Sequence, residues 1–593
     1  MLLKHFLALL FVSTLFIGNA QVDPKVVTSP IFKNSKPRIY LEKMLGEVDG
    51  TYYVMYSTEP VRTSTLPTLY IGMYGAGDMH LIKSKKLVSD SKENIERYKT
   101  FLLDKYLLTK KGLLFFFDNK GSNGNRDIYL GTFDLNLNAE KSFEKVLTYD
   151  PSERDFVGLT NSNYPNIVLA TVNHVGKDES QFIEFKEINK NFEHVNSGKI
   201  DIETESSESG FSRWLSGGSA LLNNLALSDE GKITGRISIR QVVTTTNKRG
   251  KKKVDKGADR WVNTIYVMDM KAKTYVEVPI KIDNKKNLDE IMTNTNGSIL
   301  YAAGFYSHRT KSIKGGSING VFYIRVDANT GKVLFKKATD FPDEFLFRIN
   351  SQNTLVGLFG KKKAAKRENV SSNTEISELI INETTKEFTA YCQPINNYVV
   401  STTDQNGITT TTYYSERGSL FYFNMTEGGE FNYFNTIRKF SKWSSGNSSV
   451  WYTKSVYLNR SQDGKKDNLL YSTERIYNEN DKSDIRGSKA RWKKTKRDFS
   501  IATINNKNGN YELNHPQEYS SKDKTNLGLF INTISKSNGK LYSYSTKRKM
   551  RTSRLITAVV LAIPTVFIAP IVISKLPKSF YQKIQFNRIE IKN

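Results

Sequence analysis

Cysteine is almost absent from this chain of 593 residues, because Cys392 is the only one. A single cysteine cannot form an internal disulfide, so packing and hydrogen bonding must stabilise the fold. Cys392 lies in the strand-like segment FTAYCQ. This setting predicts a small buried apolar residue rather than a reactive thiol.

The usual signatures of catalysis are also missing. The sequence contains no HExxH, no pair of its six histidines at metal-ligand spacing, no Gly-x-Ser-x-Gly and no phosphate-binding glycine loop. We therefore predict no catalytic residue, no metal site and no cofactor. One alternative stays open, since two carboxylates from separate repeats can form a glycosidase site that spacing does not reveal.

Acidic residues are few relative to basic ones. There are 60 Asp and Glu against 87 Lys and Arg, which gives a formal net charge of +27. In a cytosolic chain such a charge would first indicate nucleic acid as the binding partner.

The N-terminus argues against nucleic acid as the partner. Residues 1–20 combine Lys4 and His5 with an apolar run and the small residues Gly18-Asn19-Ala20, which is typical of a cleaved export signal.

A second long apolar run lies near the other end. Residues 555–573 (LITAVVLAIPTVFIAPIVI) carry no charge, and as a helix they would measure about 28 Å, close to the thickness of a bilayer's hydrocarbon. Residues 546–554 before the run and the tail 574–593 after it are basic. The favoured prediction is a transmembrane helix that anchors an exported domain, residues 21–545. The alternative is a buried last strand.

Between these ends a turn followed by an apolar strand recurs along the chain. The markers are Gly50, Gly112, Asn166, Gly231, Gly297, Asn353, Gly407, Gly464 and Gly539, each shortly before a run such as TYYVMY or LLFFFD. A further strand, a polar turn and another strand follow in most units, most clearly at 327–332 (DANTGK). The repeat predicts an all-β protein, a β-propeller of about eight four-stranded blades (seven to nine), with first and last units sharing one blade.

Two units resemble a known family. Residues 125–130 (NRDIYL) and 263–269 (NTIYVMD) are similar to the strand signature of TolB-like propellers, in which Asp-Ile-Tyr leads into an apolar strand and an acidic turn. The family's Ser-Pro-Asp-Gly turn is absent here. The resemblance implies an exported or periplasmic propeller that binds partners.

Basic residues concentrate in five segments that we expect at equivalent places in the repeat. These are 247–260, 307–319, 361–369, 474–498 and 546–554. In a propeller, equivalent loops emerge on one face, so the charges would converge. Two tryptophans directly follow basic residues and could stack on a sugar ring or cover a sheet edge. The candidate binding residues are Lys248, Arg249, Lys251, Lys252, Lys253, Arg260, Trp261, Arg309, Lys311, Lys361, Lys362, Lys363, Arg491, Trp492 and Lys493.

The function predicted from these patterns is binding rather than catalysis. We expect a periplasmic or extracellular scaffold of the cell envelope, with a basic face for polysaccharide, lipopolysaccharide, lipid headgroups or a protein partner. Solvated, mobile loop tips are the alternative interpretation of the basic segments. A secreted carbohydrate-active enzyme with its site at the central channel is the alternative function.

Overall fold

In the computed structural model, eight antiparallel sheets of four or more strands follow one another along the chain. The structure describes residues 25–28, 32–34, 40–57, 69–75, 80–86, 100–120, 124–138, 144–161, 164–173, 181–202, 222–241, 244–246, 252–254, 260–280, 282, 286–308, 317–353, 355, 370–371, 373–382, 384–445, 455–461, 463–473, 498–517, 535–537, 540–550 and 580–590. The predicted export signal and the apolar run 555–573 lie outside these residues. No helix in the described part of the chain is long and apolar enough to cross a membrane.

Strands β1 (Lys25–Thr28) and β2 (Phe32–Asn34) begin the chain and belong to the last sheet. The first three complete sheets then follow in order. Sheet 1 contains β3 (Tyr40–Val48), β4 (Thr51–Ser57), β5 (Leu69–Gly75) and β6 (Leu81–Lys86). Sheet 2 contains β7 (Thr100–Thr109), β8 (Gly112–Lys120), β9 (Arg126–Phe133) and β10 (Glu144–Tyr149). Sheet 3 contains β11 (Arg154–Leu159), β12 (Ile167–Asn173), β13 (Gln181–Ile188) and β14 (His194–Ile202).

Sheets 4 and 5 carry small additions between their middle strands. Sheet 4 contains β15 (Asn223–Leu227), β16 (Lys232–Gln241), β19 (Arg260–Asp269) and β20 (Thr274–Ile280), with the hairpin β17 (Thr244–Thr246) and β18 (Lys252–Val254) inserted. Sheet 5 contains β21 (Lys286–Asn296), β22 (Ile299–His308), β24 (Gly320–Asp327) and β25 (Val333–Asp340). Strand β23 (Ser317–Ile318) pairs with β26 (Val370–Ser371), and helix α1 (Asp343–Gln352) lies between sheets 5 and 6 in sequence.

Sheets 6, 7 and 8 complete the series. Sheet 6 contains β27 (Thr374–Ile381), β28 (Phe388–Thr403), β30 (Leu420–Met425) and β31 (Phe431–Ile437), extended by β29 (Thr409–Arg417) and β32 (Ser441–Ser445). Sheet 7 contains β33 (Val456–Arg460), β34 (Lys466–Thr473), β35 (Asp498–Asn505) and β36 (Tyr511–Gln517). Sheet 8 contains β37 (Ser535–Ser537), β38 (Lys540–Met550) and β39 (Phe580–Glu590), and it is completed by β1 and β2.

Each sheet packs on the next one through a separate apolar cluster. In the first pair, Phe115 and Phe117 of sheet 2 pack with Tyr53 of sheet 1, and clusters of the same kind join every later pair through sheets 7 and 8. Strand β3 of sheet 1 contacts β37 and β38 of sheet 8, so the series returns to its start. The arrangement is β-propeller-like, and the prediction of an all-β chain with about eight sheets is confirmed.

The tyrosine content has a specific structural use between sheets. Buried hydroxyls donate hydrogen bonds to turn carbonyls of the following sheet: Tyr53 to Leu135 (2.9 Å), Tyr323 to Lys386 (2.9 Å) and Tyr422 to Gly509 (2.7 Å). Each ring therefore buries apolar surface while its polar end satisfies a backbone group of the neighbour. Cys392 is fully buried in β28, as predicted from its apolar surroundings.

The last sheet extends beyond the predicted domain boundary at residue 545. Strand β39 lies within the segment for which a basic tail was predicted, yet it pairs along its length with β38 and also with β1. Ile589 is 1% exposed and packs with Leu470, Phe499 and Ile501 of sheet 7. The N-terminal and C-terminal strands therefore share one sheet, which agrees with the prediction that first and last units close the repeat together.

This closure predicts a large stability effect near the C-terminus. The substitution Ile589→Ala should lower the free energy of unfolding by about 2–5 kcal/mol, because it opens a cavity between sheets 7 and 8. The matched control is Ile408→Ala at a residue that is 62% exposed, which should change it by less than about 0.5 kcal/mol. Urea unfolding followed by fluorescence measures both values. Equal effects for the two variants would contradict the packing of β39.

Candidate functional site: the long-loop face

The two edges of the sheets carry very different connections. Within each sheet, the turns that join the first strand to the second, and the third to the fourth, are mostly short. Examples are 49–50, 110–111, 189–193, 270–273 and 328–332. We call the edge at which these turns lie the short-turn face. The connections from the second strand to the third, and from one sheet to the next, lie at the opposite edge, because neighbouring strands are antiparallel. This edge, the long-loop face, carries the connections 58–68, 242–259, 309–319, 341–373, 396–419, 474–497 and 551–579.

All five basic segments attach to strand ends at the long-loop face. Four of them, 247–260, 307–319, 474–498 and 546–554, fall in or adjoin connections between second and third strands of sheets 4, 5, 7 and 8. The fifth, 361–369, was predicted at the same place in the repeat, but it lies in the connection from sheet 5 to sheet 6. Its strand ends are nevertheless at the same face.

Few of the predicted binding residues lie in the described part of the chain. Lys252 and Lys253 are in β18, where they pair with Thr246 and Thr245. Arg260 and Trp261 begin β19, opposite Gln241 and Arg240. The remaining predicted residues, Lys248, Arg249, Lys251, Arg309, Lys311, Lys361, Lys362, Lys363, Arg491, Trp492 and Lys493, lie outside the described residues.

A histidine at the end of β22 forms the best defined polar contact at this face in sheet 5. His308 Nε2 lies 3.0 Å from Asp340 Oδ1, and the Tyr306 hydroxyl donates to the same carboxylate oxygen. Burial and the hydrogen bond to Asp340 raise the pKa of Tyr306, so its hydroxyl stays protonated at neutral pH. His308 and Asp340 remain about half exposed, at 46% and 63% of their side chains. A carboxylate-held imidazole at a surface can bind an anion when protonated or accept a proton when neutral.

Sheet 6 projects a three-stranded extension from the long-loop face. Strand β28 continues beyond its pairing with β27 and β30, and its residues 395–403 pair with β29, which pairs in turn with β32. We call this extension the projecting hairpin. This extension was not predicted, although the run FTAYCQPINNYVVSTT is longer than a normal strand and could have indicated it.

One side of the projecting hairpin carries an aromatic and ionic cluster. The rings of Tyr398 and Tyr414 stack with centroids 5.0 Å apart, and Lys442 Nζ lies 5.3 and 4.7 Å from those two centroids. Lys442 also donates to Glu416 Oε1 at 2.9 Å and to the Tyr398 hydroxyl at 2.6 Å. These contacts join β28, β29 and β32. The extension exposes Val399 and Val400 along β28, and Ile408 in the turn at its tip.

A buried polar network lies where the projecting hairpin joins sheet 6. Lys439 is fully buried and donates to Ser455 Oγ (3.1 Å), which donates to Gln393 Oε1 (2.7 Å). Gln393 Nε2 donates to Glu375 Oε1 (2.8 Å), and Arg417 Nη1 lies 3.3 Å from that oxygen. Burial, and then the nearby Arg417 charge, lower the pKa of Lys439 to about 7. No sequence pattern marks Lys439, because its burial results from the unpredicted hairpin.

The short-turn face differs in chemistry as well as in length. Its turns are closed by carboxylates that accept backbone N–H groups, as Asp269 does from Lys271 (2.9 Å) and Asp327 does from Asn329 (2.8 Å). Backbone hydrogen bonds lower the pKa of Asp327 and of Asp463. Acidic groups are therefore engaged in turn structure there, whereas the basic segments occupy the other face. Among the described residues, no group of three or more His, Cys, Asp or Glu side chains could hold a metal ion.

Comparison with known proteins gives distant structural likenesses only. No protein-family model and no curated protein sequence matches the chain. Similar solved structures include the polysaccharide lyase Uly1, with a TM-score of 0.32 and 6% identity over 82% of this chain and 90% of that one. An apocarotenoid oxygenase mutant from Synechocystis has a TM-score of 0.32 and 7% identity, over 82% and 95%. A GH32 β-fructofuranosidase from Bombyx mori has a TM-score of 0.23 and 10% identity, over 70% and 90%.

The buried lysine predicts a pH dependence of stability. Because the pKa of Lys439 is about 7 in the fold and about 10.5 in the unfolded chain, the unfolded state binds more protons between those values. Stability should therefore rise from pH 7 to 9.5, by at most about 1.4 kcal/mol per pH unit for this one group. In Lys439→Met this rise should be absent, and stability at pH 7 should equal or exceed that of the wild type.

Lys442→Met is the matched control for this measurement. Lys442 is partly exposed, and although burial opposes the shift, its hydrogen bonds to Tyr398 and Glu416 raise its pKa. Its removal should leave the rise between pH 7 and 9.5 in place. Urea unfolding across this pH range distinguishes the variants. A wild-type profile that is flat over this interval would show that Lys439 is not buried as described.

Proposed function

We propose that this protein is a β-propeller-like binding protein whose long-loop face engages an anionic partner of the cell envelope. The single observation that supports the proposal most strongly is the attachment of all five basic segments to strand ends at one face. Short turns on the other face carry carboxylates in turn-closing hydrogen bonds. That face also carries single exposed lysines such as Lys271 and Lys332, but the clustered basic segments attach to the long-loop face. Clustered charge favours attraction of an anionic partner to that side of the molecule.

The chemistry of the face favours phosphate, sulfate or carboxylate groups that repeat along a polymer or surface. Several separated basic segments can contact such a partner simultaneously, and each weak contact then adds to the total. Nucleic acid has the same charge, but the export signal predicted for residues 1–20 argues against it as a partner. The TolB-like resemblance, which implies an exported module that binds partners, agrees with this proposal.

The proposal predicts a face-specific loss of binding. Replacing Lys251, Lys252, Lys253, Lys361, Lys362 and Lys363 by glutamine should lower affinity for dextran sulfate at least tenfold at low salt, because several close charge contacts are lost. The matched control replaces six exposed lysines of the short-turn face by glutamine, namely Lys110, Lys190, Lys271, Lys332, Lys465 and Lys507. Both variants change the net charge equally.

Isothermal titration calorimetry or fluorescence anisotropy measures the affinities at low and at high salt. The long-loop variant should lose affinity and much of the salt dependence, while the short-turn variant should stay within about threefold of the wild type. Equal losses in the two variants would show that only net charge matters. No loss in the long-loop variant would overturn the proposed face.

A second candidate function is a secreted carbohydrate-active enzyme, favoured by one specific observation. His308 is held by Asp340 at the long-loop face, close in sequence to Arg309 and Lys311. A neutral imidazole beside cationic groups can abstract a proton next to a carboxylate, as elimination from an acidic sugar requires.

Incubation with a panel of uronic-acid polymers separates the two functions. Formation of unsaturated sugar products that is lost in His308→Ala indicates the enzyme, and saturable binding without turnover indicates the binding protein.

A further inference from the structure

The projecting hairpin is a continuation of the middle strands of sheet 6. Strand β28 pairs first with β30, from Phe388 to Cys392, and then with β29, from Ile395 to Thr403. At about 3.4 Å per residue, residues 395–403 extend roughly 30 Å from the rest of the sheet. The hairpin is therefore long enough to meet another molecule away from the body of the propeller.

Two backbone hydrogen bonds show which residues of β28 are directed to its outer edge. Ile395 N–H donates to the Asn373 carbonyl (2.7 Å), on the side where β27 pairs with β28. The Pro394 carbonyl accepts from Gly418 N–H (2.9 Å), on the side of β29 and β30. Because consecutive residues of a strand direct their backbone groups to opposite edges, the odd-numbered residues after 395 direct theirs away from β29.

This outer edge carries no partner strand in the described part of the chain beyond residue 395. Strand β27 pairs with β28 only as far as Pro394. The backbone groups directed outward after that point belong to four residues with exposed side chains, Asn397, Val399, Ser401 and Thr403. A row of free N–H and C=O groups of this kind is a template for a further strand.

The edge also lacks the charges that protect other outer strands of this protein. Strand β6 of sheet 1 has the sequence LIKSKK and strand β25 of sheet 5 has VLFKKATD, so lysines accompany their exposed apolar residues. Residues 395–403 (INNYVVSTT) carry no charge, although 25% of the chain's residues are charged. Val399 and Val400 are 45% and 40% exposed. An uncharged, partly apolar edge favours strand pairing, whereas lysines on an edge oppose it.

The edge is complementary to a second copy of itself. A two-fold axis between antiparallel strands can place Val400 opposite Val400 of the second copy. In that register Val399 pairs with Ser401 of the second copy, and Asn397 pairs with Thr403. Every outward-directed backbone group of these residues then has a partner in both copies, which no other strand of the described chain supplies.

The charge of the protein also favours contact through this hairpin. A net charge of +27 opposes association of two copies through most of the surface. Paired hairpins would keep the two bodies about 30 Å apart, which is several Debye lengths at physiological salt. The repulsion between the bodies is then largely screened, while the contact itself contains no cation.

We propose that the free edge of β28 binds the same edge of a second copy of this chain, so that the two projecting hairpins form one continuous antiparallel sheet. The two long-loop faces then lie opposite each other at the two ends of the paired hairpins. This inference does not rest on the proposed function. If both faces bind one anionic polymer, the dimer binds it more tightly than a single copy does.

Sedimentation velocity of the full chain between about 1 and 100 µM tests the dimer. The wild type should form dimers increasingly with concentration. Val400→Lys should raise the dissociation constant at least tenfold, because two like charges come to lie directly opposite each other. The matched control is Thr410→Lys, which adds the same charge at an exposed residue of β29 and should stay within about threefold of the wild type.

Each result of this comparison bears on the proposal. A wild type that is monomeric at every concentration would overturn the second copy as the occupant of the edge. An undiminished dimer in Val400→Lys, or equal losses in both variants, would show that the edge of β28 does not form the contact. Raising the salt concentration should strengthen the wild-type dimer, because it screens repulsion between the bodies. A dimer that dissociates as salt rises would instead be held by charged groups.

Mixing two variants tests the two-fold register. Val400→Glu alone should dimerise as weakly as Val400→Lys, whereas an equimolar mixture of the two should recover the dimer, because a lysine then faces a glutamate across the axis. This recovery also shows that both variants are folded. A mixture that is no more dimeric than its components would contradict the pairing of residue 400 with itself.

Discussion

The structure depends on strands that are apolar on both faces. All residues of β12 and all residues of β30 are buried, although successive side chains of a strand point to opposite sides of its sheet. Such a strand is stable only when another sheet covers each side. Every sheet therefore needs two neighbours, and the series has to return to its start. Strand β1 completes the last sheet by pairing with β39, and β3 of sheet 1 contacts β37 and β38.

This constraint also decides where function can be placed. The faces of the sheets are used for packing, so the edges carry the variable connections. Because neighbouring strands are antiparallel, the turns between first and second strands and between third and fourth strands reach one edge, and the longest connections reach the other. Turn-closing carboxylates such as Asp269 and Asp327 occupy the first edge, whereas the five basic segments and the projecting hairpin occupy the second. The gathering of the basic segments at one edge follows from this topology.

The sequence predicted the repeating part of the fold well, because each turn has its own local signal. Gly50, Gly231 and Gly464 have φ angles of 75°, 78° and 67°, a conformation that favours glycine, and each lies in the turn between the first and second strands of its sheet. Two other predicted markers were wrong: Asn353 follows helix α1, and Gly407 lies in the turn between β28 and β29. The turn beginning at Asp327 also has the predicted form, with the carboxylate accepting two backbone N–H groups. Local chemistry of this kind is independent of the rest of the chain.

Features that depend on distant residues were predicted only in outline or not at all: the sharing of one sheet by the first and last units was expected, but not the strands that form it. Strand β39 has polar residues at many positions, and its pairing with a strand more than five hundred residues earlier leaves no local pattern. The burial of Lys439 likewise results from the hairpin formed by β28, β29 and β32. The apolar run 555–573 lies outside the described residues, and its length gave no sign that the strands before and after it, β38 and β39, pair with each other.

The central claim is that one face, built from the long connections, engages an anionic partner. Hydrogen–deuterium exchange of the full chain with and without dextran sulfate tests it most directly, because every connection is observed in one experiment. The account predicts slower exchange in the connections 242–259, 309–319, 341–373 and 474–497, and unchanged exchange in the turns 189–193, 270–273 and 328–332. Protection distributed equally over both faces, or confined to the short turns, would contradict it.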